Sequence, residues 1–191
     1  MDSYQEIINT AFLLFSQNGY EATSMNEIAQ TANLSKGALY HHFKSKKELL
    51  YKVFNYIMQK VLAVAFTDLN TLNKNNYKNI LISLGIEAIE TAQTNPTFKN
   101  FILEIVALIK RDDYVRKQML CLCQKVITQF EQLIIRGIDL KLLSTHLNTG
   151  LTAQKMFMYL DALELYGVLK VPMDLKGLWF DFINDLFVCK K

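Results

Sequence analysis

The sequence predicts an all-α fold, and three observations lead to this prediction. The 191 residues include only two Pro and seven Gly, which leaves few positions for the tight turns of a β-sandwich. Apolar residues recur at intervals of three and four, as they do on one face of a helix. Capping patterns of the form S-x-x-E precede two of the predicted helices. Because 51% of the residues are hydrophobic, the chain can bury a core and is not intrinsically disordered.

The first part of the chain predicts four helices. They are residues 4–17, residues 25–32, residues 36–43 and a long helix that begins after Ser45. Gly19 follows the first helix and ends it, since glycine readily adopts the left-handed conformation. Ser24 and Glu27 form a capping box for the second helix, and Ser45 with Glu48 forms another for the fourth.

Two short helices joined by a three-residue turn, with one helix before and one after them, correspond to a helix-turn-helix arrangement. The distribution of charged residues supports a binding function for this region. Residues 1–32 contain four acidic residues and no Lys or Arg, whereas residues 33–60 contain six Lys and one Glu. The net charge of +3 is too small to identify a partner, but this distribution localises a basic patch.

The third helix has the pattern expected of a recognition helix. Gly37 and Ala38 keep its N-terminal end slim enough to approach a DNA groove, and Ser35 is suited to cap it. Leu39 and Phe43, four residues apart, anchor the opposite face to the core. Outward hydrogen-bond donors are supplied by Tyr40, His41, His42, Lys44 and Lys46.

Residues 4–50 resemble the N-terminal DNA-binding domain of the TetR family of bacterial transcriptional regulators. The resemblance rests on A-x-x-L-F-S-Q-N-G-Y-E-A-T-S and on I-A-Q-T-A-N-L-S-K-G-A-L-Y-H-H-F-K-S-K-K-E-L-L. It implies a helix-turn-helix domain at residues 1–48 and a helical effector-binding and dimerisation domain at residues 49–191. The C-terminal part matches the family only in length and helical pattern, so the resemblance names no effector.

The predicted DNA contacts combine helix N-termini with outward positions of the third helix. They are Ser24, Ser35, Lys36, Gly37, Ala38, Tyr40, His41, His42 and Lys46. The resemblance implies a phosphate or base contact for Tyr40, a phosphate contact for His42 and a sequence-selecting role for His41. The alternative for Tyr40 is a half-buried core position.

Lysines and serines in this region have competing interpretations. Lys46 is predicted to contact phosphate, whereas Lys47 and Lys52 are interpreted as a solvated face. Ser24 and Ser35 act as helix caps in either case, and phosphate contact is the additional prediction, because helix N-termini bind anions.

The rest of the chain predicts five more helices, which makes nine. They are residues 77–94, a helix that begins at Pro96, a helix from Asp112-Asp113 to about Arg136, a helix from Ser144 or Thr145 to Tyr166, and residues 174–189. Asn95 is the predicted cap of the sixth helix. Gly137 is predicted to end the seventh helix, and Gly167 to follow the eighth.

The last two helices carry more apolar surface than one core requires. This excess predicts that they pack against the core and also against a second copy of the chain, and the resemblance implies the same homodimer. The predicted dimer interface is Met156, Tyr159, Leu163, Leu178, Trp179, Phe182 and Leu186. The alternative is a fully internal helix pair in a monomer.

Polar residues within apolar helical faces predict an effector pocket. Its predicted lining is Glu87, Phe101, Glu104, Ile105, Glu131, Gln154, Phe157, Met158 and Asp161. Asp161 shares a stripe with apolar residues, which is unusual for a carboxylate without a partner. An aromatic and Met-lined cavity with acids suits a lipophilic, cationic molecule. The alternative for Asp161 is an interhelical salt bridge or an exposed acid at a cavity edge.

Other function classes find little support. The sequence contains no P-loop, G-x-S-x-G or H-E-x-x-H motif, so no enzyme activity and no cofactor are expected. On a helix, His41 and His42 point in different directions, and so do Cys121 and Cys123. No metal site is therefore expected. The cysteines are interpreted as buried free thiols. Without an export signal or membrane span, a soluble cytoplasmic protein is expected.

The expected function is therefore a repressor that binds a palindromic operator in double-stranded DNA as a dimer and is released by a small-molecule effector. One alternative from another class remains. A helical adaptor would use the basic helices to bind a protein or a membrane instead of DNA.

Overall fold

The computed structural model describes residues 3–65 and 68–188. Within these ranges the chain is all-α, as predicted, with no β-strand. The helices are α1 (Ser3–Asn18), α2 (Met25–Thr31), α3 (Lys36–His42), α4 (Lys46–Ala65), α5 (Tyr77–Thr94), α6 (Pro96–Ile109), α7 (Asp113–Asp139), α8 (Thr149–Val168) and α9 (Leu175–Val188), with a 3-10 turn at Leu69–Thr71 before α5. The predicted end of the last helix at Cys189 lies outside the described residues.

Local capping interactions set the ends of the short helices. The Ser24 hydroxyl accepts a hydrogen bond from the backbone N–H of Glu27 (3.1 Å), whose carboxylate accepts one from the N–H of Ser24 (3.3 Å). This is the predicted capping box. Gly19 has a φ of 83° after α1, and Asn33 has a φ of 54° between α2 and α3. Both residues therefore occupy the left-handed region that permits these tight turns.

The predicted end of the seventh helix at Gly137 is wrong. Helix α7 continues to Asp139, and Lys141, with a φ of 60°, occupies the left-handed position. A Cβ atom on Gly137 would lie 2.3 Å from the hydroxyl oxygen of Tyr77. This glycine is therefore required for close packing inside the helix, not for terminating it.

The predicted bounds of the eighth helix also need correction. Residues 144–147 form a turn, and α8 begins at Thr149 because the Asn148 side chain accepts a hydrogen bond from the N–H of Leu151 (2.9 Å). At the other end Gly167 lies inside the helix, and Lys170, with a φ of 54°, follows it. A Cβ atom on Gly167 would lie 3.2 Å from the Gln93 side chain, so this glycine too serves packing.

The described chain divides into two compact units. The first contains residues 1–61 and 96–119, and the second contains residues 62–95 and 120–191, so α4 and α7 each begin in one unit and end in the other. The first unit therefore includes α6 and the start of α7 in addition to α1–α3. The division of function after residue 48 stays a prediction.

Each unit has its own buried residues. In the first, α1 packs on α6, where the rings of Phe12 and Phe101 meet edge to face at 5.2 Å. In the second, α5 packs against both α8 and α9. Trp179 is fully buried there, and its indole N–H points at the carbonyls of Leu81 and Ile82 at 3.2 and 3.1 Å.

Candidate DNA-binding surface

Helix α3 buries one apolar edge and exposes its polar side chains. Leu39 and the C-cap residue Phe43 are fully buried, and the Phe43 ring stacks on Tyr4 of α1 at 5.1 Å. On the other side, the exposed residues are Lys36, Gly37, Tyr40 and His41, while Ala38 and His42 are half-buried. The structure thus brings the predicted α3 contacts together on one accessible surface. Tyr40 belongs to this surface and not to the core.

The serines at the two helix N-termini are exposed and act as caps. The Ser35 hydroxyl accepts a hydrogen bond from the N–H of Ala38 (3.1 Å), as Ser24 does from Glu27. A serine hydroxyl that accepts one hydrogen bond can still donate its own hydrogen. Capping and phosphate contact are therefore compatible at Ser24 and Ser35.

The N-terminal end of α3 is open, as predicted from its small residues. A Cβ atom built on Gly37 would meet only the Ser35 hydroxyl, at 3.9 Å. No neighbouring group therefore requires a glycine at this position for the fold. Its small size leaves room for an external partner.

The two histidines of α3 differ in their surroundings. The Nε2 atom of His42 lies 2.9 Å from the Ser3 hydroxyl, so α1 holds this ring from one side. His41 is exposed, and its ring is nearly perpendicular to that of His42 at 5.6 Å. His41 is therefore the more accessible of the two rings, and its contact with a base stays a prediction.

Lys46 has a different environment from the one predicted. Its ammonium group donates to the backbone carbonyls of Tyr20 (2.8 Å), Glu21 (3.0 Å) and Thr23 (2.9 Å) in the turn between α1 and α2. It also lies 4.5 Å from the centre of the Tyr20 ring. Three carbonyl acceptors occupy the three ammonium hydrogens, so a phosphate contact by Lys46 stays a prediction without geometric support.

Lys47 is exposed, as interpreted from the sequence, and it also forms an ion pair. Its ammonium lies 3.0 Å from the Asp112 carboxylate, which also accepts a hydrogen bond from the Tyr51 hydroxyl at 2.8 Å. Burial alone would raise the pKa of Asp112, but hydrogen bonds from Tyr51 and Lys47 lower it below its usual value. Tyr114 stacks on Tyr51 at 3.9 Å. Lys47 and Tyr51 lie more than 60 positions before Asp112 and Tyr114, so sequence spacing gave no signal for this cluster.

Comparison with known families points to the same region. Residues 7–53 match the family model described as bacterial regulatory proteins, tetR family. The AcrR transcriptional regulator of Shigella flexneri is 25% identical over 166 residues, which cover 85% of this chain and 76% of AcrR. The chain therefore resembles the TetR family, most clearly at residues 7–53. The resemblance stated from the sequence is thereby confirmed.

Two other relatives match this chain over shorter lengths. The TetC protein of transposon Tn10 from Escherichia coli is 52% identical over 48 residues, or 25% of this chain and 24% of TetC. IcaR of Staphylococcus aureus strain Newman, named as a negative transcriptional regulator of a biofilm operon, is 36% identical over 77 residues, or 38% of this chain and 37% of IcaR. The matches thus span well under two thirds of TetC and IcaR. IcaR and AcrR are named as regulators and not as enzymes.

Solved structures extend the TetR fold to the whole chain. A TetR transcription regulator from Haloarcula marismortui superposes with a TM-score of 0.80 at 16% identity and covers 98% of this chain and 97% of its own. FadR from Bacillus subtilis, solved with stearoyl-CoA, superposes with a TM-score of 0.74 at 18% identity and covers 98% and 99%. The predicted architecture of an N-terminal helix-turn-helix followed by a helical region is confirmed.

Three residues predicted to line the effector pocket lie elsewhere in the chain. Phe101 and Ile105 are fully buried in the first unit, where α6 packs on α1. Glu104 accepts a hydrogen bond from the N–H of Tyr20 at 2.8 Å. These residues therefore pack against α1 or bind the turn that follows it. The six other predicted pocket residues all belong to the second unit.

The remaining pocket residues are not all alike. Glu87 and Gln154 are exposed, and Met158 is 69% exposed. Glu131 accepts a hydrogen bond from the Thr149 hydroxyl at 2.9 Å, which explains its position in an apolar face. Phe157 is half-buried. Because Met158 points outward from the chain, its assignment to a pocket lining is corrected here.

Asp161 has an acidic neighbour that the sequence analysis missed. Desolvation by the surrounding apolar side chains raises the pKa of Asp161, although part of the side chain reaches solvent. Desolvation and the Asp161 charge together raise the pKa of Glu164, one turn away and half-buried, to about 7. No salt bridge to Asp161 is present among the described residues, and its exposed side chain fits the other part of the alternative, an exposed acid. Two carboxyls with raised pKa values therefore lie one turn apart on α8, the first exposed and the second half-buried.

The predicted dimer interface is largely internal. Met156, Leu163, Trp179 and Leu186 are buried in the core of the single chain, so they are not available to a second copy. Tyr159, Leu178 and Phe182 are half-buried and pack against that core. These residues are apolar and point inward because α8 and α9 both pack against α5. The interface prediction is therefore corrected for the four buried residues.

A different apolar stripe lies on the outer side of α8. Its members are Leu151, Met158, Leu165 and Leu169, which are between 48% and 69% exposed. At 100° per residue these positions fall within an arc of about 40°. Phe180 of α9 is also half-exposed, at 49%. Large apolar side chains exposed in one row form an apolar patch on the surface of the chain.

The other expectations have limited tests in the structure. No helix among the described residues is long and apolar enough to cross a membrane. Across residues 3–65 and 68–188, no three His, Cys, Asp or Glu side chains cluster in a way that would hold a metal ion. Cys121 is exposed and Cys123 is half-buried, so the expectation of buried thiols is wrong for Cys121, and Cys189 lies outside the described residues.

Proposed function

We propose that this chain is a DNA-binding transcriptional regulator that acts as a homodimeric repressor. The observation that carries the proposal is the exposed face of α3, where donors and two small residues stand above a buried apolar edge. Phosphate contacts position such a helix, and contacts to base edges in the major groove give sequence preference. The match of residues 7–53 to the TetR-family model and the similarity to IcaR, which is named as a negative transcriptional regulator, support this function.

The proposal is tested by selecting bound sequences from a random pool of duplex DNA. We expect a palindrome whose half-sites are read by two copies of α3 in successive major grooves, about 34 Å apart. Affinity for the selected duplex should fall steeply with salt, and Lys36→Gln should flatten this dependence by about one unit per half-site. Lys125→Gln, an exposed lysine on α7, is the matched control. Recovery of no preferred sequence would contradict the proposal and favour the adaptor alternative.

The outer stripe of α8 supports the homodimer. In a dimer related by a two-fold axis, the same stripe on each copy covers the other, because such an interface is self-complementary. Burying these four side chains removes apolar area from water, which stabilises the pair by about 25 cal/mol per Å² of area buried. This dimer also supplies the fixed separation of two recognition helices that a palindrome requires.

The second unit is the proposed site of effector binding. The support is the group formed by Phe157, Asp161 and Glu164 on α8, together with the fold shared with FadR, which was solved with stearoyl-CoA. The acids suit a cationic group, and the apolar faces suit a lipophilic body. We propose a lipophilic ligand that shifts the dimer toward a conformer in which the two α3 helices no longer fit the operator.

The effector proposal is tested with three probes: stearoyl-CoA, a lipophilic quaternary ammonium ion and a planar aromatic cation. A probe that binds the folded protein should raise its melting temperature. An effector should weaken DNA binding by the same factor by which DNA weakens effector binding. Asp161→Asn should reduce affinity for the two cationic probes only. If Asp161→Asn changes stability and no probe response, the acidic pocket is disproved.

A further inference from the structure

The turn between α1 and α2, residues 19–24, is a compact segment with internal hydrogen bonds. The N–H of Gly19 donates to the Phe15 carbonyl at 3.1 Å, and the buried Thr23 hydroxyl donates to the Gly19 carbonyl at 2.8 Å. The turn ends at Ser24, which caps α2. A shift of this turn therefore moves the start of the helix-turn-helix.

Two oppositely charged side chains from other helices hold this turn. The Glu104 carboxylate of α6 accepts from the N–H of Tyr20 at 2.8 Å, and the Lys46 ammonium of α4 donates to the Tyr20 carbonyl, also at 2.8 Å. One residue of the turn is thus bound from two helices at once. Hydrogen bonds that involve a charged group are stronger than neutral ones, and their loss leaves a backbone group without its partner.

Further hydrogen bonds connect the α1–α2 turn to the recognition helix α3. The Asn18 side chain donates to the Glu27 carboxylate at 2.9 Å, which joins the end of α1 to α2. The N–H of Leu34 donates to the Ala29 carbonyl at 2.8 Å, which closes the turn from α2 to α3. A continuous series of contacts therefore leads from Glu104 to α3.

Helix α6 also has a direct chain connection to the second unit. It begins at Pro96, after the single residue Asn95 that follows the end of α5 in that unit. On α6, Phe101 and Glu104 both face α1 or its following turn. A displacement of α6 by about 1 Å would lengthen the Glu104 hydrogen bond beyond its normal range.

We propose that Glu104 and Lys46 are positioning residues that hold the α1–α2 turn and thereby set the DNA affinity of α3, and that α6 acts on this affinity through Glu104. The proposal rests on the proposed DNA-binding function. It replaces a pocket role for Glu104 and a phosphate contact for Lys46. Neither residue needs to touch DNA.

The test uses the duplex selected by the wild-type dimer and compares Glu104→Ala with Glu104→Gln. The alanine variant should weaken binding at least tenfold, because the Tyr20 N–H loses its acceptor. The glutamine variant should stay within threefold of wild type, because its side-chain oxygen still accepts this hydrogen bond. Glu90→Ala removes an exposed acid of α5 and should leave affinity unchanged.

Lys46→Met distinguishes positioning from phosphate contact. It should weaken binding at least tenfold while the slope of log affinity against log salt stays within about 0.3 of wild type, since no phosphate contact is lost. A slope reduced by about one unit per half-site would restore the phosphate role and overturn the proposal for Lys46.

Amide hydrogen exchange tests the coupling first in the wild-type protein and then in a variant. In the wild-type protein the Tyr20 amide should be protected, and adding the selected duplex should slow exchange in residues 101–109 of α6. In Glu104→Ala the slowing in α6 should be lost. If α6 does not respond to DNA in wild type, or Glu104→Ala binds within threefold of wild type, the proposal fails. If wild type selects no duplex at all, the proposed function fails instead.

Discussion

Helices α3 and α8 both expose one side to solvent, but the exposed sides are chemically opposite. In α3 the only fully buried residue is Leu39, and the outward side chains are polar or very small. In α8 seven residues are buried in the core, and the far side carries a second apolar row. A polar outer face suits a hydrated, charged partner such as DNA, whereas an apolar outer face suits another protein surface.

This difference explains why one region was easier to interpret than the other. An exposed polar side chain on a short helix has few structural roles, so its identity reflects its partner. An apolar side chain on α8 fits either a core or an interface, and sequence alone does not separate these roles. Met156 and Met158 are two residues apart, yet the first is fully buried and the second is 69% exposed.

The largest effect is expected where the apolar face is truly internal. Trp179→Ala should lower the free energy of unfolding by about 3–5 kcal/mol, because the indole is fully buried and leaves a large cavity. Phe180→Ala, at the adjacent half-exposed position, should cost less than about 1.5 kcal/mol in the isolated chain. Denaturant unfolding at equal protein concentration measures both. A similar loss of unfolding free energy in the two variants would mean that the buried and exposed faces of α9 were assigned incorrectly.

The outer row of α8 predicts the next largest effect. Met158→Lys should raise the dimer dissociation constant at least 100-fold, or about 2.7 kcal/mol, because it places a charge in an apolar interface. Leu103→Lys makes the same kind of change at an exposed position of α6 and should leave the dimer intact. Sedimentation equilibrium reports both. A Met158→Lys protein that stays dimeric would exclude this row as the contact surface.

On α3 a single substitution should lower DNA affinity without lowering the stability of the fold. Gly37→Leu should reduce affinity for the selected duplex about tenfold, because a large side chain occupies the space left for DNA. It should not destabilise the fold, since a Cβ at this position meets only Ser35 at 3.9 Å and leucine favours helix over glycine. Affinity is measured by fluorescence anisotropy and stability by thermal unfolding. Unchanged affinity would remove Gly37 from the DNA contacts.

The smallest predicted effect concerns the acids of α8. Because the pKa of Glu164 is raised to about 7 in the folded state, the folded protein binds more protons than the unfolded chain between about pH 4.5 and 7. Stability should therefore fall as pH rises through this window. Glu164→Gln should flatten the dependence and stabilise the protein at pH 8 by on the order of 1 kcal/mol. Denaturant unfolding between about pH 4 and 8 measures this dependence. An unchanged pH dependence in Glu164→Gln would mean that the Glu164 carboxyl is well solvated.

The sequence predicted those features that depend on neighbours in the chain. The capping box at Ser24 and the turn at Gly19 involve residues within one or two helical turns, and the structure has both. The exposed face of α3 follows from the positions of Leu39 and Phe43 alone. The TetR-like motif extends over the same residues, so helix-turn-helix and recognition helix were both predicted from local patterns.

The failed or incomplete predictions involve distant contacts. Gly137 resembles a helix terminator until Tyr77, 60 residues earlier in the chain, packs against it. Lys46 has the composition and position of a phosphate contact, but carbonyls more than 20 residues away take its hydrogens. Glu104 was predicted to line a pocket because it is an acid in an apolar helical face. Its actual partner is the backbone N–H of Tyr20, 84 residues earlier in the chain. A helical period contains no information about such partners.

The burial of Trp179 also makes the chain its own spectroscopic reporter. It is the single tryptophan of the sequence, it belongs to the second unit, and its indole N–H faces two backbone carbonyls in an apolar environment. Its emission should shift to longer wavelength only when that unit opens to water. The nine tyrosines, several of them in the first unit, give a separate absorbance signal. Recording both signals during one melt would show whether the DNA-binding half and the α8–α9 half lose structure together or in sequence.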